Sequence, residues 1–211
     1  MFEDREDAGK QVAEAVAERL GGAEPKDLLV LAIPRGGAEV GYWVARKLGA
    51  RFSLLVTRKL PIPDNPETGF GAIAEDGSEF VSPDAAMFLP EGDIERIKKE
   101  QKEEIKRRVN ALRGGRPLPQ VKGRTVVLVD DGLATGSTML ASIRMCRNKK
   151  AKKVIVAVPV AGRDTALEIG RLADELIVLE QPPFFRAVAQ VYRNWHDVQD
   201  EEVLEVMGRE I

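Results

Sequence analysis

The chain is poor in the residues that several common kinds of site require. Among its 211 residues there is one cysteine, Cys146, and one histidine, His196. A single cysteine excludes an intramolecular disulfide and a cysteine metal cluster, and Cys146 is expected to be a buried structural thiol. One histidine without an HExxH spacing argues against a catalytic zinc site. The sequence also lacks a GxxxxGK[ST] stretch, so a P-loop nucleotide hydrolase is not predicted.

Excess charge and long apolar runs are missing as well. The formal net charge is −2, and no apolar stretch reaches the length of about 20 residues that spans a membrane. The initial residues FEDRED are too acidic for a secretory signal. We therefore expect neither nucleic acid nor a membrane as a partner, and we predict a cytoplasmic protein. With 44% hydrophobic residues, the chain can build the core of one α/β domain.

The most informative stretch is TVVLVDDGLATGSTM at residues 125–139. Its unbroken apolar run predicts a strand that is buried on both faces, as in a parallel sheet. Asp130 and Asp131 follow directly, and their oxygen atoms suit sugar hydroxyls or a hydrated Mg2+. Small and hydroxylated residues at 132–138 then lead into a helix whose N-terminus suits a phosphate. A helix cap needs only one acid, so this pattern favours a site for a phosphorylated sugar.

Two further strands end in candidate ligand-binding residues. The run at residues 28–33 leads through PRGG, at 34–37, into a predicted helix. The glycines would let the backbone approach a ligand at the start of that helix. The next predicted strand, 52–57, ends in Arg58 and Lys59, at the edge where ligands bind in open α/β sheets. A solvated surface pair is the alternative interpretation of these two cations.

Hydrophobic periodicity predicts the remaining elements. Helices are expected at 4–20, 91–113 and 164–172, strands at 153–160 and 174–179, and a hairpin that pairs 71–75 with 79–82. The helix at 91–113 interleaves acidic and basic residues, which is typical of a solvated face. It is also long enough to contribute to a dimer.

Residues 126–138 resemble the phosphoribosyl-diphosphate (PRPP) motif of the type I phosphoribosyltransferases, and the PRGG segment looks like that family's diphosphate loop. The resemblance implies an α/β fold with a central, mostly parallel sheet and flanking helices. It implies a core domain at 1–180, with a mobile loop at about 60–80, and a small C-terminal hood at 181–211.

The same resemblance implies an Mg2+-dependent transferase. It would move the 5-phosphoribosyl group of PRPP to a nitrogen of a nucleobase-like acceptor and release pyrophosphate, as a homodimer. Asp130 and Asp131 would hold the ribose hydroxyls near the Mg2+ that PRPP carries, and with Arg58 and Lys59 they form the expected catalytic set. The expected PRPP-binding residues are Arg35, Gly36, Gly37, Asp130, Asp131, Gly132, Leu133, Ala134, Thr135, Gly136, Ser137 and Thr138. Val160, Phe184 and Phe185 would lie beside the base.

Three features leave the acceptor and the turnover open. Ala134 stands where members that use 6-oxopurines carry an acid, which leaves adenine, a pyrimidine or another acceptor. Glu67, Glu75 and Asp76, on the expected mobile loop, are candidates for a general acid or base. That loop carries no cation after Lys59. The alternative is therefore a non-catalytic PRPP- or nucleotide-binding module with the same fold.

Overall fold

A five-stranded parallel sheet lies at the centre of the protein. The computed structural model describes residues 1–63 and 65–211, with the backbone alone described at 66–68. Numbered along the chain, the central strands are β1 (Leu28–Ala32), β2 (Arg51–Leu54), β6 (Thr125–Val129), β7 (Lys153–Val160) and β8 (Glu175–Glu180). Their order is β2-β1-β6-β7-β8, and every neighbouring pair is parallel. The predicted fold class is confirmed.

Helices cover both faces of this sheet. They are α1 (Arg5–Arg19), α2 (Gly37–Leu48), α5 (Ser137–Asn148) and α6 (Arg163–Leu172). Two others, α3 (Pro83–Ala86) and α4 (Glu91–Arg113), pack on the strands between β2 and β6, and α7 (Asp200–Met207) packs on α2 and α4. Short 3-10 turns lie at Pro25–Asp27 and Val188–Val191. The helices predicted at 4–20, 91–113 and 164–172 are thus present within one or two residues. In the described part of the chain, no helix combines the length and the apolar character needed to cross a bilayer.

The unbroken apolar runs are explained by burial on two sides. Leu29 and Leu31 pack towards α5 and α6, whereas Leu28 and Val30 pack towards α1 and α2. Successive side chains of a strand point to opposite faces, so each run needs apolar residues at every position. Cys146 lies in the first of these cores, where burial raises the pKa of its thiol to about 12. It is a structural residue, as predicted.

A second sheet, of three antiparallel strands, replaces the irregular loop that the sequence predicted after residue 60. Its strands are β3 (Thr57–Ile62), β4 (Asn65–Ala74) and β5 (Glu79–Val81), and the predicted hairpin is the β4–β5 pair. The ladder is irregular on either side of Pro61, a residue that cannot donate to it. A Cβ on Gly71 would lie 2.1 Å from the carbonyl oxygen of Phe80, so glycine permits this close pairing. Whether the hairpin moves over a ligand stays a prediction.

The predicted strand at 52–57 is too long. β2 ends at Leu54, because the backbone N–H of Val56 donates to the Glu75 side chain at 3.0 Å instead of to a neighbouring strand. Arg58 and Lys59 consequently lie inside β3 and not at the end of a central strand.

Candidate functional site

Two loops leave the same edge of the central sheet side by side. β1 and β6 are neighbours in register, with Ala32 opposite Val129, so the PRGG segment and the acid pair start at the same level. The Pro34–Arg35 peptide bond is cis. A Cβ on Gly36 would lie 1.8 Å from Oδ2 of Asp131. The close approach that glycine permits at this position is thus made to the second acid, and its approach to a ligand stays a prediction.

Gly37 is equally restricted. A Cβ at this position would lie 2.9 Å from the Cα atom of Asp130 and 3.0 Å from the carbonyl oxygen of Val129. Both glycines therefore let the PRGG segment pack directly against the acid pair. This contact joins two parts of the predicted site, the diphosphate side and the ribose side.

The two acids have different surroundings. The backbone N–H of Asp131 donates to Oδ1 of Asp130 at 2.9 Å. Burial, together with the charge of Asp131, raises the pKa of the Asp130 carboxyl group well above its usual value. Oδ2 of Asp131, in contrast, accepts from Nε of Arg5 at 2.9 Å. Only the second acid has an arginine bonded to it in the described structure, so the pair is asymmetric before any ligand arrives.

The small-residue segment 132–138, called here the phosphate-type loop, leads into a helix N-terminus that has no side-chain cap. Gly136 has a φ of 74°, which favours glycine, and α5 begins at the next residue without a side-chain cap. Two hydrogen bonds attach the loop to β7 and α6. The N–H of Leu133 donates to the Val160 carbonyl at 2.9 Å, and the Thr165 hydroxyl donates to the Ala134 carbonyl at 2.8 Å. The first N–H groups of a helix have no partner within it. They can bind an anion here.

The two candidate cations of β3 point to opposite faces of the small sheet, because side chains alternate along a strand. Arg58 faces α4, where its Nε donates to Oε1 of Gln101 at 3.1 Å. Lys59 lies on the same side of β3 as Thr57, whose hydroxyl contacts that of Ser142 on α5 at 3.1 Å. The two side chains therefore cannot approach one ligand group from the same side of the small sheet.

Arg58 belongs to a gathering of arginines. Burial and the positive charge of Arg108 lower the pKa of its guanidinium, with smaller contributions from Arg107 and Arg35. The charge of Glu104, which accepts hydrogen bonds from both Arg107 and Arg108, opposes this shift. Arg35, in the PRGG segment, has its own partial neutralisation from Asp200, with Nη1 3.8 Å from Oδ1. The interleaved charges of α4 predict a solvated face, and that pattern gives no sign that Arg58 of β3 lies near Arg108. A cluster of like charges is stabilised by an anionic ligand.

The candidates for the base pocket separate in the structure. Val160 is fully buried and packs with Phe2, Val191 and Tyr192, so its side chain is not available to a ligand. Phe184 is 87% exposed. Phe185 is partly buried in the cluster of Val160, at the loop that follows β7. The assignment of these residues to a base stays a prediction, with Phe185 nearer to the site loops than its neighbour.

Two of the three candidate acid–base residues are placed elsewhere. Both carboxylate oxygens of Glu75 accept from the Arg113 guanidinium, at 2.8 and 2.9 Å. Asp76 lies in the β4–β5 turn, where its neighbour Ser78 accepts from the Asn148 side chain at the last residue of α5. The 12 residues of α5 put that turn about 18 Å along the helix from the phosphate-type loop. The side chain of Glu67 lies outside the described residues.

Sequence reasoning missed the residues that surround Asp131 from the two ends of the chain. The Tyr192 hydroxyl donates to the Asp131 carbonyl at 2.7 Å, and burial and the charge of Asp131 raise its pKa. The Arg5 guanidinium lies over the Trp195 ring, 4.0 Å from its centroid, and donates to the His196 carbonyl at 3.0 Å. These contacts span more than 60 positions of sequence in the shortest case. No local pattern announces them.

The donor set of the site fits a magnesium ion that arrives with its ligand. Within the described residues, no group of three or more His, Cys, Asp or Glu side chains is placed to hold a metal. Asp130 and Asp131 offer carboxylates beside the open helix N-terminus. Mg2+ is commonly bound through one or two carboxylates together with substrate phosphates and water. The two acids fit that role and do not form a complete protein cage.

Comparisons with known proteins agree with this geometry. A family model described as "Phosphoribosyl transferase domain" matches residues 1–194. A Mycobacterium tuberculosis protein, provisionally named a phosphoribosyl transferase, is 39% identical over 211 residues, which are 99% of this chain and 47% of the relative. The chain therefore spans about half the length of the curated relatives it matches.

Solved structures support the fold. The crystal structure of a Thermus thermophilus protein is 37% identical, with a TM-score of 0.81 over 98% of this chain and 97% of that one. A hypoxanthine-guanine phosphoribosyltransferase from Bacillus anthracis is 13% identical, with a TM-score of 0.50 over 90% of this chain and 88% of that one. At that identity the second likeness concerns the fold alone.

Proposed function

The chain belongs to the phosphoribosyl transferase family, and we propose that it transfers the 5-phosphoribosyl group of PRPP to a nitrogen of a nucleobase-like acceptor. One observation carries the proposal. The PRGG segment packs against Asp130 and Asp131, and the uncapped N-terminus of α5 opens beside the same pair. A diphosphate, a ribose and a 5′-phosphate require these three kinds of partner in this order.

The reaction breaks the bond between C1 of the ribose and the diphosphate oxygen, and it forms a bond between C1 and the acceptor nitrogen. The diphosphate leaves with the electron pair, and the acceptor nitrogen loses its proton. Asp130 and Asp131 accept hydrogen bonds from the ribose hydroxyls and offset the positive charge that develops on the sugar. The chain contributes position, charge and exclusion of water more than covalent chemistry.

The phosphates are assigned to two groups of residues. The loop 132–138 and the first N–H groups of α5 receive the 5′-phosphate. Arg35, Gly36 and Gly37 receive the diphosphate together with Arg58, whereas Lys59, on the opposite face of β3, approaches the bound ligand from the side of α5. The electrostatic interaction between Arg58 and Arg35 supports this assignment, since an anionic ligand would relieve the repulsion between these two cations. Mg2+ held by PRPP and by the acid pair neutralises the diphosphate when it is bound.

The acceptor and the assembly belong to the same proposal. Ala134 supplies no acid in the loop, which favours adenine or a pyrimidine over a 6-oxopurine. Phe185, behind the loop that follows β7, is the aromatic residue we assign to the base. The homodimer stays a prediction.

Pyrophosphate release from Mg-PRPP, measured with a panel of purine and pyrimidine bases, tests the transfer. We expect release with one class of base and a loss of at least about 100-fold in an Asp130→Asn, Asp131→Asn double variant, because a hydrogen bond to a charged group contributes about tenfold or more. Asp93→Asn is the matched control, since Asp93 pairs with Arg96 on the exposed side of α4. Equal activity in the double variant and the control would refute the assignment.

A non-catalytic PRPP- or nucleotide-binding module is the second candidate. It is favoured by the positions of two candidate acid–base residues. Glu75 is paired with Arg113, and Asp76 lies near the end of α5 that is farther from the phosphate-type loop. Binding of Mg-PRPP measured by calorimetry, without pyrophosphate release for any base, would favour the module over the transferase. Absence of PRPP binding would contradict both.

A further inference from the structure

Arg5 is a buried cation in direct contact with the candidate ribose site. It lies in the first turn of α1, and its side chain is 8% exposed while that of Asp131 is 14% exposed. Its Nε donates to Oδ2 of Asp131 at 2.9 Å. A hypothetical Cβ on Gly36 would lie 3.1 Å from the same Nε atom. Arg5 therefore sits where the second acid, the PRGG segment and the N-terminal helix meet.

The guanidinium is held on its other sides by the C-terminal tail. It donates to the His196 carbonyl at 3.0 Å, and it stacks on Trp195 with 4.0 Å between its central carbon and the ring centroid. A guanidinium is planar and offers several donors in a rigid arrangement, so contacts of this kind restrict its orientation. Arg5 thus has a defined position before it meets Asp131.

The two ends of the chain are joined at this point. The N–H of Phe2 donates to the Val191 carbonyl at 2.7 Å, and the N–H of Arg193 donates to the Phe2 carbonyl at 2.9 Å. Tyr192 lies between these two tail residues, and its hydroxyl bonds the Asp131 backbone. Side chain and backbone of the second acid are consequently both held by the paired termini.

We infer that Arg5 is a positioning residue for PRPP, which acts by holding the Asp131 carboxylate beside the PRGG segment. Because Oδ2 of Asp131 accepts a hydrogen bond from Arg5, its Oδ1 is left to accept a hydrogen bond from a ribose hydroxyl. Arg5 also balances the charge of one of two adjacent carboxylates, which reduces the repulsion between them. The inference rests on the proposed function, because it concerns the binding of the ligand named there.

The alternative is that Arg5 only anchors the N-terminus to the tail. Arg193 provides the matched control for that role, since its side chain pairs with Glu3 and joins the same two segments. This pair is exposed, at 62% and 55%, and does not touch Asp131. Arg193→Gln therefore removes a link between the termini and leaves the acid pair intact.

The test is calorimetric binding of three ligands, Mg-PRPP, ribose 5-phosphate and magnesium pyrophosphate, to the wild type, Arg5→Gln, Arg5→Lys and Arg193→Gln. We expect Arg5→Gln to raise the Kd for PRPP and ribose 5-phosphate about 10- to 100-fold, the usual worth of a charged hydrogen bond. The Kd for pyrophosphate and the number of binding sites per folded chain should not change. For Arg5→Lys we expect Kd values between those of the wild type and Arg5→Gln, because lysine keeps the positive charge but lacks the planar set of donors of a guanidinium.

These readouts separate positioning from anchoring. A purely structural role would reduce the number of competent sites and weaken all three ligands together. Should Arg5→Gln fail to fold, Arg5→Lys is compared with Arg193→Gln on the same ligands. An equal Kd for PRPP in the folded Arg5 variants and in Arg193→Gln overturns the inference and leaves the proposed function standing. A wild type that binds no PRPP overturns both.

Discussion

The ion pair between Arg113 and Glu75 offers a direct test of where Glu75 acts. Its two side chains are 4% and 10% exposed, and Arg113 also donates to the Leu54 carbonyl at 2.8 Å. The pair thus ties the end of α4 to the end of β2 and to the start of the β4–β5 turn. The perturbation is Glu75→Gln, which keeps the size of the side chain and removes its charge.

The expected effect is a loss of stability. Removing one partner leaves the other buried without a counter-charge, at a cost of about 3–5 kcal/mol. For a domain of this size, about 2–4 °C of melting temperature corresponds to 1 kcal/mol, so the transition should fall by about 6–20 °C. The affinity for Mg-PRPP, measured well below that transition, should not change, because Glu75 is committed to Arg113.

Urea unfolding with linear extrapolation measures the free energy of unfolding. Glu103→Gln is the matched control, because Glu103 pairs with Lys106 on the surface, at 63% and 70% exposure, and the change should leave stability as it is. A double variant, Glu75→Gln with Arg113→Met, should regain part of the loss because the unpaired charge is gone. A single variant as stable as the control, or a selective loss of turnover at full stability, would refute this reasoning.

Two further substitutions test the diphosphate side of the site. Gly36→Ala should weaken Mg-PRPP binding by an order of magnitude or more, because the new Cβ would lie 1.8 Å from Oδ2 of Asp131; Gly92→Ala, where nothing lies within 4 Å of the added Cβ, should leave the affinity as it is. Arg58→Gln should raise the Kd for magnesium pyrophosphate about tenfold, whereas Arg96→Gln, an exposed helix position, should not. Equal values within either pair would remove that residue from the site.

The central fold could be predicted because its signals are local. The strand β1 is apolar throughout, and β6 and β7 are apolar after their first residue, which only burial on both faces explains. The acid pair and the loop at 132–138 follow β6 directly, so their place at the edge of the sheet follows from the strand. Because β1 and β6 are adjacent and parallel, the PRGG segment leaves the sheet at the same edge as the acid pair.

The small sheet could not be predicted in the same way. Pro61, Gly69 and Gly71 read as turn residues, but each is used where the pairing is irregular or where two backbones come close. The end of β2 depends on the Glu75 carboxylate, which accepts from Val56 across 19 positions. Because strand pairing is decided by such distant partners, the sequence predicted Arg58 and Lys59 at the end of a central strand, whereas they lie inside β3.

The contact of Arg5 with Asp131 lay furthest from any sequence signal, since it joins residues 126 positions apart. In the sequence, Arg5 is one cation within an acidic start and Asp131 is half of a motif that seems complete by itself. In the structure they form one unit, in which the partly buried carboxylate is paired with a buried cation, and the cation contacts the aromatic ring and the carbonyl of the tail. A motif therefore defines which atoms face the ligand, while the charge of those atoms is balanced by whichever segments the fold brings behind them. In this protein those segments are the paired ends of the chain, so Asp131 is held by residues that a motif search would assign to its periphery.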